Sequence, residues 1–262
     1  MKNRVVIQGA QTVQRAVSLL KLIATNEKHG VRLTGIAHEM QLEKPTVHRL
    51  LKALVAEGLL NKNEDTRCYS LGSLIYELGL AASNNFDFVD LCSPVLKTLA
   101  LHTADTAFLF IRNEYDAVCI AREQGSYYIQ TPVVSIGSRQ PLGVSAGGLA
   151  LLSALSEQEM EKVLDVTAIR LNIYGGLTVE ETRQLYCDAH DKGYAVIANH
   201  AVSGVKGVGI PILNNQNIPI AAVTIASTMS RMSEEHIQET LPHLKKAAVE
   251  ISELLADKAV ML

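Results

Sequence analysis

The sequence predicts an α+β protein in two parts: an N-terminal winged helix-turn-helix and a larger C-terminal domain built on a mainly antiparallel sheet. Three observations predict it. A helix, a short helix and a Pro-started basic helix are followed at once by a hairpin pattern within the first 72 residues. Beyond residue 85, helices and strands alternate, which suggests an α+β sandwich with a largely antiparallel sheet. The charge is also divided: residues 1–80 carry an excess of four cations and residues 81–262 an excess of seven anions, within an overall net charge of −3.

The first helix shows an apolar stripe, Ala16, Leu19, Leu20 and Ile23, at i, i+3, i+4 and i+7. Gly30 and its surrounding loop end it. Thr34 is positioned to cap the second, short helix, whose Ile36, Ala37 and Met40 face inward. The third, KPTVHRLLKALVAEG, buries Val47, Leu50, Leu51 and Leu54. Pro45 suits its first turn, where a missing N–H is no loss, and Gly58 suits a left-handed stop. Pro45, His48, Arg49 and Lys52 share a second face, with Lys44 and Thr46 at the N-terminal end. That face offers groups able to meet phosphates and base edges in a major groove. Residues 59–61 and 67–71 then flank a polar turn at 62–66, forming a wing whose Lys62 and Arg67 could reach the DNA backbone.

Residues 13–72 resemble the DNA-binding domain of the IclR family, through VQRAVSLLKLI, LTGIAHEMQLEKPTVHRLLKALVAEGLL and the wing ending RCYSLG. The resemblance implies that Thr46, His48, Arg49 and Lys52 lie on or near the DNA-facing side. It further implies that a dimer binds double-stranded operator DNA, and that dimers can pair into tetramers. The expected organisation is a DNA-binding domain at 1–72, a linker helix at 73–84 (SLIYELGLAAS and its end) that joins a dimer contact, and a sensor domain at 85–262.

In the sensor part, Asp87 is placed to cap a helix reaching about His102. Residues 106–111, 117–121 and 127–131 read as strands from their β-branched and aromatic content. Ser156 with Glu159, and Thr178 with Glu181, form capping boxes for two helices. Strands at 205–213 and 218–226 flank a polar turn, and an amphipathic helix covers 233–256. This order is similar to the GAF-like sensor fold of the IclR family, so the resemblance spans about nine-tenths of the chain.

Several functional classes lose support. No apolar run approaches a membrane span, and the start MKNRVVIQGAQ lacks a secretory apolar stretch, so a cytoplasmic protein is expected. Cys68, Cys92, Cys119 and Cys187 are scattered, without C-x-x-C pairing, and read as buried thiols; no metal and no cofactor are expected. His102, His190, His200 and His243 have no metal-ligand spacing and read as structural or surface residues. GVKGVG at 204–209 lacks the ending of a phosphate loop and reads as strand. With 5% aromatics and no Trp, the core must be mainly aliphatic.

Residues 143–147, GVSAG, match the G-x-S-x-G elbow of serine hydrolases, with Asp165, His190 and His200 downstream. The rival reading is therefore a hydrolase using Ser145. Residues 138–142 are polar with a proline, a poor central strand, and no oxyanion loop precedes them. The favoured reading is a close-packed loop entering a helix, whose N-terminal N–H groups approach a ligand. In the IclR family this loop lines the effector pocket. The resemblance places effector contacts at Ala146, Gly147, Gly148, Ile197, Gly207, Thr224 and Ala226. The family usually has His near 143 and Lys near 149, where this chain has Gly143 and Leu149. Members that bind small ketoacids are polar at several pocket positions, whereas here only Thr224 keeps a hydroxyl. The expectation is thus a ligand-responsive regulator, not an enzyme: a repressor of catabolic genes whose effector is a small carboxylic acid, aromatic or otherwise apolar.

Overall fold

The computed structural model describes residues 10–24, 30–83, 88–130 and 134–256. The chain divides into two compact units, residues 1–86 and 87–262.

In the first unit, α1 (Gln11–Ala24) buries Leu19 and Ile23. Strand β1 (Val31–Arg32) leads directly into α2 (Leu33–Glu39), which buries Ile36 and Ala37. Thr34 is not the cap. It lies inside the first turn, Arg32 holds the N-cap position, and no side chain caps this helix. The pairing of Val31 and Arg32 with Tyr69 and Cys68 sets the start, since both residues must be extended to join a sheet.

Helix α3 (Lys44–Ala56) carries Pro45 in its first turn and buries Val47, Leu50, Leu51 and Leu54, the stripe its sequence shows. Gly58 follows the C-cap at φ +72°, a conformation that costs other L-residues a Cβ clash. The wing is β2 (Leu60–Lys62) and β3 (Cys68–Leu71), with β1 adding a third strand in the order β1-β3-β2. Arg67 stands outside β3 at φ +55°. Helix α4 (Ser73–Ser83) leaves Tyr76, Leu78 and Leu80 exposed.

The second unit is one antiparallel sheet, in the order β6-β5-β4-β9-β8-β7, with helices on both faces. Its elements are α5 (Phe88–Thr103), β4 (Thr106–Asn113), β5 (Asp116–Glu123), β6 (Arg139–Pro141), α6 (Ala146–Ser153), α7 (Glu157–Leu171), α8 (Val179–Lys192), β7 (Ala195–Ala198), β8 (Val205–Leu213), β9 (Pro219–Thr228) and α9 (Glu234–Ala256). Strand alternation divides the core. Ala107 and Leu109 of β4, with Val223 and Ile225 of β9, pack under α5 and α9. Phe108, Phe110, Ala222 and Ala226 point to the opposite face, under α6, α7 and α8.

The expected caps are present: Ser156 Oγ accepts from the Glu159 N–H at 3.3 Å, and Thr178 Oγ1 from the Glu181 N–H at 3.1 Å. Asp87 lies outside the described residues, as does Thr131. The strand expected at 127–131 is not formed over 127–130, which is irregular. Tyr127 instead lies under the Arg231 guanidinium, 4.1 Å from its centre. Gln130 accepts a hydrogen bond from the Thr106 hydroxyl and donates to backbone carbonyls of its own loop, so tertiary contacts override the β-propensity of the two tyrosines. Cys92 and Cys119 are buried, and burial pushes their thiols up to about 11 and about 12. Cys187 is exposed and Cys68 half-buried, contrary to the expectation of four buried thiols; Cys187 falls on the outer face of α8.

Candidate nucleic-acid interface and ligand cavity

On α3 the buried stripe leaves Lys44, Pro45, His48, Arg49 and Lys52 exposed and Thr46 half-buried. The first turn holds no acidic residue and no side chain caps it, but Glu43 occupies the N-cap, Pro45 has no N–H and the Thr46 N–H donates to the Glu43 carbonyl at 2.9 Å, which leaves the Lys44 N–H to an anion. Thr34 is exposed on α2. In the wing, Lys62 and Arg67 are exposed, but Lys62 Nζ is 2.7 Å from Glu64 Oε2. The wing turn is closed by Asn63, whose Oδ1 accepts from the Asp65 and Thr66 N–H groups.

The second unit holds a small cavity, partly open to solvent. Its walls come from four places. Phe108 and Phe110 of β4 are two of the chain's four phenylalanines. Ser145 and Ala146 open α6, and Gly207, Thr224 and Ala226 lie on β8 and β9. The turn from Ile197 to Val202 forms the remaining wall, with Val134. Of the sequence-predicted contacts, Ala146, Ile197, Gly207, Thr224 and Ala226 line it. Gly147 and Gly148 do not. A Cβ on Gly147 would stand 2.3 Å from the Phe110 ring, so this glycine lets α6 lie on the sheet. The Gly148 N–H is taken by Ser145 Oγ at 3.2 Å, which removes it from ligand binding.

Among the described residues, the lining contains no lysine or arginine. Thr224 is buried, and its hydroxyl has no hydrogen-bond partner among the described residues. A Cβ on Gly209 would meet both Thr224 Cγ2 (2.9 Å) and the Ala146 carbonyl (2.7 Å), so Thr224 and the start of α6 are close neighbours across β8. One polar group of a ligand could therefore meet the Thr224 hydroxyl and the α6 N-terminus together, with its remainder against Phe108, Phe110 and Val134.

His200, read from sequence as structural or surface, belongs to this wall. Its Nδ1 is 3.3 Å from the Tyr174 carbonyl and its Nε2 3.3 Å from Glu181 Oε1, so it ties the β7–β8 turn to α8. Burial raises the Tyr174 phenol above its ordinary value. Nothing in the spacing of residues 174, 181 and 200 marks them as neighbours; only the packing of α8 beside β7 does.

Ser145 is the N-cap of α6. The strand before it, β6, is three residues long and at the sheet edge, where Pro141 is tolerated. His190 Nδ1 engages the Ser153 carbonyl, and both His200 nitrogens face other partners, so neither imidazole is hydrogen-bonded to Ser145. Ser145→Ala is expected to cost about 1 kcal/mol, as for other helices deprived of an N-cap. Thermal melting checks this, and an accompanying loss of esterase activity would revive the hydrolase reading.

Residues 12–64 match the family model of the IclR helix-turn-helix domain, and residues 80–253 match that of the bacterial transcriptional regulator IclR C-terminal domain. The chain belongs to the IclR family of bacterial transcriptional regulators. Its winged helix-turn-helix is the DNA-binding module of that family and its antiparallel domain the GAF-like sensor. The chain is 26% identical over 257 residues to the transcriptional repressor AllR of Escherichia coli K12, covering 96% of this chain and 93% of AllR. It is 26% identical over 248 residues to the regulator XynR of the same organism, covering 94% and 97%. An IclR regulator structure from Alicyclobacillus acidocaldarius superposes with a TM-score of 0.73 at 27% identity, covering 92% and 97%. An IclR homologue from Microbacterium hydrocarbonoxydans, solved with 4-hydroxybenzoate, gives 0.69 at 21% identity, covering 94% and 100%. Among the described residues, no helix is long and apolar enough to cross a membrane, and no group of three or more His, Cys, Asp or Glu could hold a metal ion.

Proposed function

We propose that this IclR-family protein is a cytoplasmic, ligand-responsive repressor that binds its operator as a dimer and responds to a small, largely apolar carboxylic acid from a catabolic route. The observation that carries the reading is the exposed face of α3, with His48, Arg49 and Lys52 outward and four apolar residues anchoring it from behind. Lys44 and Thr46 stand at the end that meets phosphate. Each subunit places α3 in one major groove, and α4, with Tyr76, Leu78 and Leu80 exposed, joins the dimer contact. The domain limits that follow are 1–72, 73–84 and 85–262.

Arg49→Ala tests the DNA side. It is expected to weaken operator binding by about 1–3 kcal/mol, roughly 5- to 150-fold, in a gel-shift titration. Thermal stability and ligand-induced melting shifts should be unaffected. Unchanged DNA affinity would remove the assignment of α3.

The effector side rests on the cavity's composition. Without lysine or arginine, a carboxylate there is held by the α6 N-terminus and the Thr224 hydroxyl, while aromatic and aliphatic walls take the rest. The AllR and XynR relatives support the regulator class, and 4-hydroxybenzoate in the Microbacterium homologue supports the ligand class. Thr224→Val keeps the shape and removes the hydroxyl. It is expected to weaken a benzoate-type acid about three- to tenfold in calorimetric titration. Tight binding of glyoxylate alone would sink the apolar-acid assignment. Occupancy alters operator affinity only to the extent that the acid favours one domain arrangement over another.

A further inference from the structure

The wing carries a feature that runs against a role in binding phosphate. Of the six residues 62–67, two are cationic and two anionic, and the anionic pair, Glu64 and Asp65, sits at the tip. Lys62 and Glu64 are two apart, and the turn brings their side chains together at 2.7 Å, with both residues exposed. The turn does not hold this geometry loosely. Asn63 Oδ1 accepts from the N–H groups of Asp65 (3.0 Å) and Thr66 (2.9 Å), and the Asn63 N–H donates to the Cys68 carbonyl at 2.9 Å. The Cys68 N–H then donates to Thr66 Oγ1 at 3.3 Å. The backbone thus presents Glu64 beside Lys62 in the free protein.

We propose that Glu64 is an internal competitor for DNA phosphate: it occupies the Lys62 ammonium, so that the wing binds DNA more weakly than its two cations imply. An ammonium already neutralised by a carboxylate releases fewer counterions when it meets a phosphate, and binding that neutralises fewer phosphates depends less steeply on salt. Glu64 therefore limits affinity for all duplexes alike, because interactions with the DNA backbone carry no sequence information. This raises the relative weight of α3 base contacts in choosing a site. The inference rests on DNA binding by the winged helix-turn-helix.

The test is a polarisation titration of a random-sequence duplex of about 30 base pairs by the full chain between about 50 and 200 mM salt. Glu64→Gln is expected to tighten binding about three- to tenfold at the low-salt end and to steepen the log–log salt slope by about 0.9. The same substitution in a Lys62→Met background separates sequestration from simple repulsion of phosphate by the carboxylate: sequestration predicts that most of the gain, and the slope change, disappear. A Glu64→Gln protein with the parent slope, or one that gains equally without Lys62, overturns the proposal. A parent protein that binds no duplex even at low salt instead overturns the DNA-binding reading, and this inference with it.

Discussion

Asp105→Ala is expected to destabilise the unit of residues 87–262 by about 3 kcal/mol. The Asp105 carboxylate is fully buried between two donors: Arg231 Nε is 2.7 Å from Oδ1, and His236 Nε2 is 2.6 Å from Oδ2. Arg231 also donates to the Thr103 carbonyl at 3.0 Å and covers the Tyr127 ring. The cluster joins the start of β4, the β9–α9 turn, the start of α9 and the loop after β5. Removing the carboxylate leaves a guanidinium and an imidazole partly buried without their acceptor. That desolvation cost, more than the missing attraction, sets the size of the effect. Arg231 and His236 keep some solvent contact, which places the loss near the lower end of the range for broken buried pairs. Thermal denaturation should show a fall of about 6–12 °C for a domain of this size. Asp105→Asn, which keeps an acceptor and the shape, should fall by less. A shift below about 2 °C for the alanine variant would show that water replaces the carboxylate at no cost.

Gly209→Val is expected to damage both the sensor core and its cavity. Gly209 lies in β8, paired with Ala195 on one side and Thr224 on the other, so its backbone has little freedom to move. A Cβ at this position would stand 2.7 Å from the Ala146 carbonyl oxygen and 2.9 Å from Thr224 Cγ2. The first of these is backbone at the start of α6, and it can yield only by lifting the helix from the sheet. Overpacking of this kind costs about 3 kcal/mol, and the extra methyl groups of valine intrude between the two groups proposed to hold the ligand's acid. Melting should fall by several degrees, and a benzoate-type acid should produce no thermal shift in the variant. Retained ligand response at parental stability would show that α6 and β8 are not in the close contact described.

The first unit was legible because its helices follow a single rule. An amphipathic stripe predicts which residues are inside, and Val47, Leu50, Leu51 and Leu54 obey it, leaving His48, Arg49 and Lys52 outside. Gly58 was legible for a local reason too, since a left-handed residue after a helix favours glycine. The strands β8 and β9 announced themselves as long runs flanking a polar turn. Where position depended on a distant partner, sequence reading failed. Thr34 has the chemistry of a cap, but the pairing of β1 with β3 puts the N-cap at Arg32 and leaves Thr34 inside the first turn. Residues 127–130 have the composition of a strand, but Arg231 and Thr106, far away in sequence, claim Tyr127 and Gln130. The edge strand β6 is too short to signal itself and exists only because β5 offers it partners.

The candidate site divides the same way. Amino-acid order alone determined the outward face of α3 and the small residues at the start of α6, because helix periodicity and side-chain size are local properties. The role of each small residue was settled by what lies across from it: Ala146 faces the cavity, Gly147 makes room for the Phe110 ring, and Gly148 serves Ser145. Tertiary packing also brought His200 to the cavity wall and put Phe108 opposite Thr224. Such neighbours are separated by tens of residues in the chain. They meet only because adjacent antiparallel strands bring same-face side chains within a few ångströms, a relation that depends on strand order and register.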